Sequence, residues 1–103
     1  MENLGQENKQ KKRSRTDVLF DILRIIQENK GRIKPTHLMY KANLSHKTMG
    51  FHLKDLTKSN LLKETPLEAA HSRSNRLIEI TPKGIDFYQK YSKMKEFERT
   101  FGL

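Results

Sequence analysis

The first cluster of apolar residues along the chain follows a helical period. Its members recur at spacings of three and four residues, and they are Val18, Leu19, Ile22, Leu23, Ile25 and Ile26. Ser14 precedes them and offers a side-chain oxygen to the free N–H groups of a helix start, with Asp17 three residues later. Gly31 suits the left-handed conformation that ends many helices. The pattern therefore predicts a first helix that ends near residues 29–30.

Two further helices are predicted on either side of a tight turn. Pro35 suits the first turn of a short second helix. Residues 42–44 then form a turn in which Asn43 tolerates a positive φ. Ser45 caps the third helix, which we place at residues 45–59. Two helices joined in this way form a helix-turn-helix.

The rest of the chain predicts a β-hairpin and a last helix. Residues 61–65 and 76–80 are typical of strands, and the two isoleucines of the second strand share one side. Ile33 is an isolated apolar residue that fits a very short strand. Thr81 and Pro82 supply an N-cap and a first-turn proline, so a helix begins there and extends to about residue 100.

The order of these elements predicts a mainly α fold with a small β-hairpin. Helix, helix, turn, helix, hairpin and helix (α-α-α-β-β-α) is the order of a winged helix-turn-helix domain, in which the hairpin is the wing. We expect a disordered basic tail at residues 1–13 and the winged domain at residues 14–80. The C-terminal helix at residues 81–103 is expected to serve as a dimerisation element.

Positive charge is concentrated in the middle of the chain. The sequence has 21 Lys and Arg against 12 Asp and Glu, which gives a net charge of +9. Residues 30–58 hold seven of the basic residues and a single acid, Asp55, so seven minus one gives this segment +6. This concentration favours a polyanionic partner over a generic solubility charge.

Composition excludes several classes of function. The chain has no cysteine, which removes disulfide frameworks and thiolate zinc sites. No segment approaches the about 20 apolar residues of a membrane span, and the N-terminus lacks the apolar centre of a signal peptide. The four histidines lack ligand-like spacing and the five glycines are isolated, so no metal, cofactor or enzymatic site is predicted. We expect a cytoplasmic, nucleoid-associated protein with no membrane or small-molecule partner.

The third helix has an apolar face and a basic face. At about 100° per residue, Met49, Leu53 and Leu56 lie together and are predicted to pack on the first two helices. The opposite face includes Phe51, and an exposed ring there indicates a partner; the alternative is that it folds back under the hairpin. Together with the N-terminus of the helix and the wing, the candidate DNA-binding residues are Ser45, His46, Lys47, Thr48, Gly50, Phe51, Lys54, Lys58, Arg73 and Arg76.

The last helix is rich in aromatic residues. Several follow coiled-coil spacing, with Glu98 interrupting at an expected apolar position. The predicted dimerisation residues are Phe87, Tyr91, Met94, Phe97 and Phe101. The alternative is that this helix packs back on the first helix of the same chain. A homodimer would present two third helices to successive major grooves.

Three segments resemble a known family. Residues 38–45, with the sequence LMYKANLS, resemble the turn and the start of the reading helix in the archaeal winged-helix family of small basic DNA-binding proteins. Residues 80–84, with the sequence ITPKG, resemble that family's junction from wing to last helix, and residues 12–17 resemble its opening. The resemblance covers about residues 12–91. It implies a DNA-binding transcriptional regulator or chromatin-type protein, often a homodimer formed through the C-terminal helix.

The preferred hypothesis is a transcriptional regulator that binds double-stranded DNA. Its helix at residues 45–59 would enter the major groove, with a basic wing beside it. Two alternatives stay open at this point: a winged-helix adaptor that binds other proteins, and a chromatin-type protein that coats DNA non-specifically. RNA binding is a weaker alternative because the strands lack aromatic stacking platforms.

Overall fold

The structure is a computed structural model that describes residues 14–67 and 76–103. Its elements follow in the order α1 (Arg15–Glu28), β1 (Arg32–Ile33), α2 (Pro35–Ala42), α3 (His46–Lys58), β2 (Leu62–Pro66), β3 (Arg76–Ile80) and α4 (Pro82–Phe101). This order confirms the predicted mainly α winged arrangement. The predicted tail at residues 1–13 and the predicted DNA contact Arg73 lie outside the described residues.

Local hydrogen bonds explain where the helices begin. The Ser14 hydroxyl oxygen accepts from the backbone N–H of Asp17 at 3.0 Å, as the capping pattern predicts. Thr81 caps α4 in the same way, accepting from the N–H of Gly84 at 3.0 Å. α2 begins at Pro35 without a side-chain cap, because its N-cap residue Lys34 has no side-chain acceptor, and the fixed φ of proline suits the first helical position.

Residues in the left-handed conformation follow the first two helices. The first such residue after α1 is Lys30, with φ 67°, and Gly31 follows it with φ 86°. The left-handed cap residue, predicted at Gly31, therefore lies one residue earlier, at Lys30. The N–H of Gly31 donates to the carbonyl of Ile26 at 2.8 Å, which satisfies a helix-end carbonyl and turns the chain toward β1. Asn43, with φ 56°, makes the predicted turn between α2 and α3.

The three strands form one antiparallel sheet in the order β1-β3-β2. Ile33 of β1 lies opposite Ile78 of β3, and Leu62 of β2 lies opposite Ile80. Since residues opposite each other share a face, Ile33, Ile78 and Leu62 all point toward the helices. β2 begins at Leu62, one residue later than predicted, because the N–H of Leu61 still donates to the carbonyl of Leu56 at the end of α3.

The hydrophobic core lies between this sheet and the first three helices. Its buried members are Ile22, Leu23, Ile25, Ile26, Ile33, Leu38, Ala42, Met49, Leu53, Leu56, Leu62 and Ile78. α3 contributes three of them, so its orientation is fixed by packing as well as by its caps. None of the described helices has the length and apolar character needed to cross a bilayer.

α4 packs against the edge of this core through Phe87 and Tyr88 and rests on α1. The ring of Tyr88 stacks on Phe20 with centroids 5.1 Å apart, and the ring of Tyr91 lies 4.9 Å from Phe20. The Tyr91 hydroxyl donates to Asp17 Oδ1 at 2.7 Å, and Lys95 Nζ lies 3.2 Å from the same oxygen. One side of α4 is therefore held by contacts within the chain.

Candidate nucleic-acid interface

α3 divides into a buried face and an exposed face, as its sequence predicts. Met49, Leu53 and Leu56 are buried in the core. The opposite side carries the basic face, which we define as Lys47, Phe51, Lys54 and Lys58, and all four side chains are exposed. None of these three lysines forms an ion pair with another of the described residues, so the charges are available to an outside partner.

Phe51 is the unusual member of the basic face. It is 64% exposed and lies outside the hydrophobic core. The alternative in which its ring folds back under the hairpin is therefore wrong. An exposed phenyl ring in the middle of a helix gains nothing from the fold of its own chain, which is consistent with contact to a partner.

The single acid of α3 is engaged with another helix. Arg15 donates to Asp55 Oδ2 at 2.7 Å. This hydrogen bond, together with the positive charge of Arg15, holds the pKa of Asp55 below its ordinary value. Asp55 therefore stays ionised but compensated, and the exposed face of α3 keeps its positive character. Sequence reasoning missed the contribution of Arg15, because 40 residues separate the two partners.

The N-terminus of α3 is organised by two hydroxyl groups. The Ser45 oxygen accepts from the N–H of Thr48 at 3.1 Å, and the Ser45 hydroxyl donates to Thr48 Oγ1 at 2.9 Å. Ser45 is thus a structural cap, as predicted, while Thr48 keeps a hydroxyl hydrogen to donate. His46 and Lys47 are exposed beside it, where the helix dipole and free N–H groups favour an anion.

Gly50 has no packing role among the residues that the structure describes. A Cβ atom placed on it would meet no atom within 4 Å. Glycine in a helix interior lowers helix stability by about 1 kcal/mol relative to alanine. At Gly50 no close contact among the described residues offsets this loss. The open space lies in the groove between α3 and the wing, which Gly50 lines.

The wing and α3 border a groove with charged side chains at its edges. The groove has a volume of about 730 Å³, with Gly50, Lys54 and Lys58 on the helix side and Lys63, Glu64 and Arg76 on the wing side. Arg76 is half-buried, with its Nε 3.3 Å from Glu64 Oε1. Arg76 lies opposite Pro66, in the pair of the β2–β3 ladder farthest from the helices' end of the wing, and lines the groove shared with α3.

The junction between the wing and α4 holds the C-terminal end of α3. The Thr81 hydroxyl donates to the carbonyl of Asn60 at 2.6 Å, and Lys83 Nζ donates to the carbonyl of Ser59 at 3.0 Å. A Cβ on Gly84 would overlap the carbonyl oxygen of Leu61. The TPKG segment thus ties the end of α3 to the first turn of α4.

Four of the five predicted dimerisation residues form one stripe on α4, and Phe87 at its edge also stacks on Tyr91, with ring centroids 5.8 Å apart, and packs against the core. We call Phe87, Met94, Phe97 and Phe101 the α4 stripe. Phe97 is 55% exposed and Phe101 is 65% exposed, and their rings lie 4.8 Å apart. Phe87 and Met94 line an apolar groove of about 400 Å³. The fifth residue, Tyr91, is engaged with Asp17 and Phe20 of its own chain.

Comparison with solved structures identifies similar folds. Sso10a-2, a DNA-binding protein from Sulfolobus solfataricus, is 22% identical with a TM-score of 0.64, and the match covers 87% of this chain and 90% of that one. F93 from STIV, a winged-helix DNA-binding protein, is 16% identical with a TM-score of 0.66, over 84% of this chain and 92% of that one. Likenesses at this identity show a common fold.

A third similar structure is longer than this chain. It is a mutant of MarR from E. coli in complex with operator DNA, 17% identical with a TM-score of 0.62. The match covers 70% of this chain and 49% of MarR, so only about half of MarR has a counterpart here. No curated protein sequence matches the chain. The sequence model of the winged helix-turn-helix family matches residues 12–99, and the chain therefore belongs to that family.

Proposed function

We propose that this protein binds double-stranded DNA as a transcriptional regulator and inserts α3 into the major groove. The observation that supports this most directly is the basic face of α3. Three exposed lysines surround an exposed ring, while the opposite face of the same helix is buried in the core. A helix anchored on one side and basic on the other fits the major groove, which is about 12 Å wide.

Contacts to phosphates and to base edges divide along α3. Residues 45–48 lie at its N-terminus, the end that a helix-turn-helix brings nearest to the base edges. Lys47 is suited to donate to guanine O6 and N7, and Thr48 to donate to a base or a phosphate. Lys54 and Lys58 lie farther along, toward the groove shared with the wing, where they would meet the phosphate backbone. Arg76 and the predicted contact Arg73 belong to the same wing.

A homodimer formed through the α4 stripe is part of this proposal. Exposed rings at Phe97 and Phe101 gain free energy when a second apolar surface covers them. Two copies related by a two-fold axis would place two α3 helices on successive turns of one DNA face, about 34 Å apart.

The decisive experiment is a titration of DNA binding against salt. If about six phosphates are neutralised, log K should fall with log[salt] with a slope of about −5. Lys47→Glu/Lys54→Glu should abolish binding and leave the circular dichroism spectrum and Tm unchanged. Lys93→Glu/Arg99→Glu is the matched control, because both residues are exposed on α4 and the change in net charge is identical. An equal loss in both variants would indicate non-specific attraction rather than an α3 interface.

A protein-interaction adaptor is the second candidate, and the exposed rings of Phe51, Phe97 and Phe101 favour it. In that case the purified protein would not bind DNA even at low salt, and Phe51→Ala would release a captured protein partner. Specific and non-specific DNA binding are separated by comparing a selected duplex with random DNA at several salt concentrations. A chromatin-type coating protein would bind both equally.

A further inference from the structure

We infer that Phe51 is a specificity residue that packs on the C5-methyl group of thymine in the major groove. The inference rests on the proposed function, since it assumes that α3 enters that groove. It adds a chemical preference: the bound site contains thymine where Phe51 meets the base edges. It also predicts that the preference depends on a single methyl group.

The first step is that the fold does not use the ring. Phe51 is 64% exposed, and neither the buried core nor the partly buried side chains packed against it include Phe51. The core-facing positions of α3 are already filled by Met49, Leu53 and Leu56. The ring is therefore free to contact a partner without disturbing the chain.

The second step is that the surroundings of the ring select a polyanion. Lys47 lies four residues before Phe51, Lys54 three residues after it and Lys58 seven residues after it, so all three share its side of the helix. A second copy of this face would bring like charges together, which disfavours self-association here. DNA matches both features of this face. Its phosphates supply negative charge for the lysines, and its base edges supply apolar surface for the ring.

The third step identifies the group that the ring meets. The base edges of the major groove display hydrogen-bond donors and acceptors, and the C5-methyl of thymine is their apolar group. Side chains on a helix point toward its N-terminus, so the Phe51 ring is directed to the end of α3 that lies nearest the bases. A phenyl ring has no hydrogen bond to offer, and packing on this methyl is the base contact that its chemistry allows.

The fourth step is that the neighbouring position leaves room for close approach. Gly50 precedes Phe51, and the space where its side chain would be is open for 4 Å. The hydroxyls of Ser45 and Thr48 are hydrogen-bonded to each other, so they do not fill this space. DNA can thus come near the helix axis at the level of the ring.

The test compares duplexes that differ only in the methyl group. Wild-type protein is titrated into an alternating d(A-T) duplex and into the same duplex with uracil in place of thymine. We expect about fourfold tighter binding to the thymine duplex, the ratio typical of one buried methyl group. Phe51→Ala should bind the two duplexes equally. A d(G-C) duplex with 5-methylcytosine carries the methyl at the same place in the groove and should bind wild type more tightly than unmethylated d(G-C).

Tyr40→Ala is the matched control, because Tyr40 is an exposed aromatic residue of α2 (76% exposed) and lies outside α3. This variant should keep the wild-type ratio between thymine and uracil duplexes. Salt-dependent binding with no preference for the methyl would overturn the inference and leave the proposed function intact. A preference that survives in Phe51→Ala would assign the methyl contact to another group, and it would also overturn the inference. Absence of binding to every duplex at low salt would overturn the proposed function itself.

Discussion

α3 and α4 both expose aromatic rings, but the chain holds the two helices differently. α3 inserts three apolar side chains into the core, whereas the buried residue of α4 is Gly84. α4 rests on α1 through the stacked rings of Phe20 and Tyr88 and through the hydrogen bond from Tyr91 to Asp17. A helix fixed on the core presents its outer face in one orientation. α4 makes its contacts along one side, and Phe97 and Phe101 remain exposed.

The charges around the exposed rings also differ. The ring on α3 is surrounded by three lysines, and its one nearby acid is engaged by Arg15. α4 carries five basic and three acidic residues, and Lys90 pairs with Asp86 at 3.0 Å within the helix. The same chemical group therefore supports two different proposed partners, a polyanion for α3 and an apolar surface, such as a second copy, for α4.

The largest expected effect is the loss of self-association in Phe97→Asp/Phe101→Asp. Burial of each ring contributes about 1.5–3 kcal/mol, so losing both weakens the dimer by at least about 3 kcal/mol, or more than about a hundredfold in Kd. Sedimentation equilibrium measures this change. Phe51→Asp, an equally exposed ring on α3, should associate as the wild type does. Equal loss in both variants would contradict the division between the helices.

The next largest effect is expected for Gly84→Ala, where α4 meets the end of α3. The added Cβ would overlap the carbonyl oxygen of Leu61 and the side chain of Ile80. Because one of these is a backbone atom that cannot rotate away, the free energy of unfolding should fall by about 2–3 kcal/mol. Urea denaturation followed by circular dichroism measures it. Unchanged stability would mean that the junction is looser than the geometry implies.

Tyr91→Phe tests how α4 is attached to α1. The hydrogen bond from Tyr91 is the largest cause that lowers the pKa of Asp17 below 3.8. A lowered pKa stabilises the fold above the unfolded value and loses that stabilisation as pH falls through the folded value. The partly exposed carboxylate limits the expected loss to about 1 kcal/mol at neutral pH.

Urea denaturation at several pH values checks this expectation. Wild type and Tyr91→Phe should differ at pH 7 and converge only as the pH falls through the lowered pKa of folded Asp17, below 3.8, because Asp17 is then protonated in both. Tyr40→Phe removes a hydroxyl from an exposed ring and should match the wild type throughout. A difference between wild type and Tyr91→Phe that persists in acid would point to altered ring packing instead of the carboxylate.

Gly50→Ala has the smallest expected effect on stability, and in the opposite direction from Gly84→Ala. Its Cβ would meet no atom of the described residues within 4 Å, so the helix should gain about 1 kcal/mol. DNA affinity should decrease, because the added methyl projects into the groove between α3 and the wing. Denaturation and a binding titration on one sample measure both. Increased stability with unchanged affinity would remove Gly50 from the interface.

Much of the fold could be predicted because its signals are local. Ser14, Ser45 and Thr81 each cap a helix through a backbone N–H three residues away, so the helix starts are visible in short stretches of sequence. The predicted end of α1 differs by one residue because Lys30 adopts a conformation that lysine rarely favours. With Lys30 in this conformation, the N–H of Gly31 donates to the carbonyl of Ile26 and the chain turns toward β1.

The candidate site was less accessible to sequence reasoning. The alternation of side chains along β3 could have predicted the orientation of Arg76. It lies two residues from Ile78 and therefore shares its inward side. The contacts of Arg15 with Asp55 and of Tyr91 with Asp17 join residues 40 and 74 positions apart. No local pattern contains them, because they exist only after the helices have packed.

The bonds from Thr81 and Lys83 to the end of α3 make the first turn of α4 and the last turn of α3 a single rigid corner. In a dimer joined through α4, the angle between the two copies of α4 would be transmitted through this corner to the two copies of α3. The angle between the two copies of α4 would then set the distance along the DNA between the two α3 contacts. Substitutions that change only the crossing angle of α4 would change which spacing of half-sites, in steps of base pairs, fits the protein.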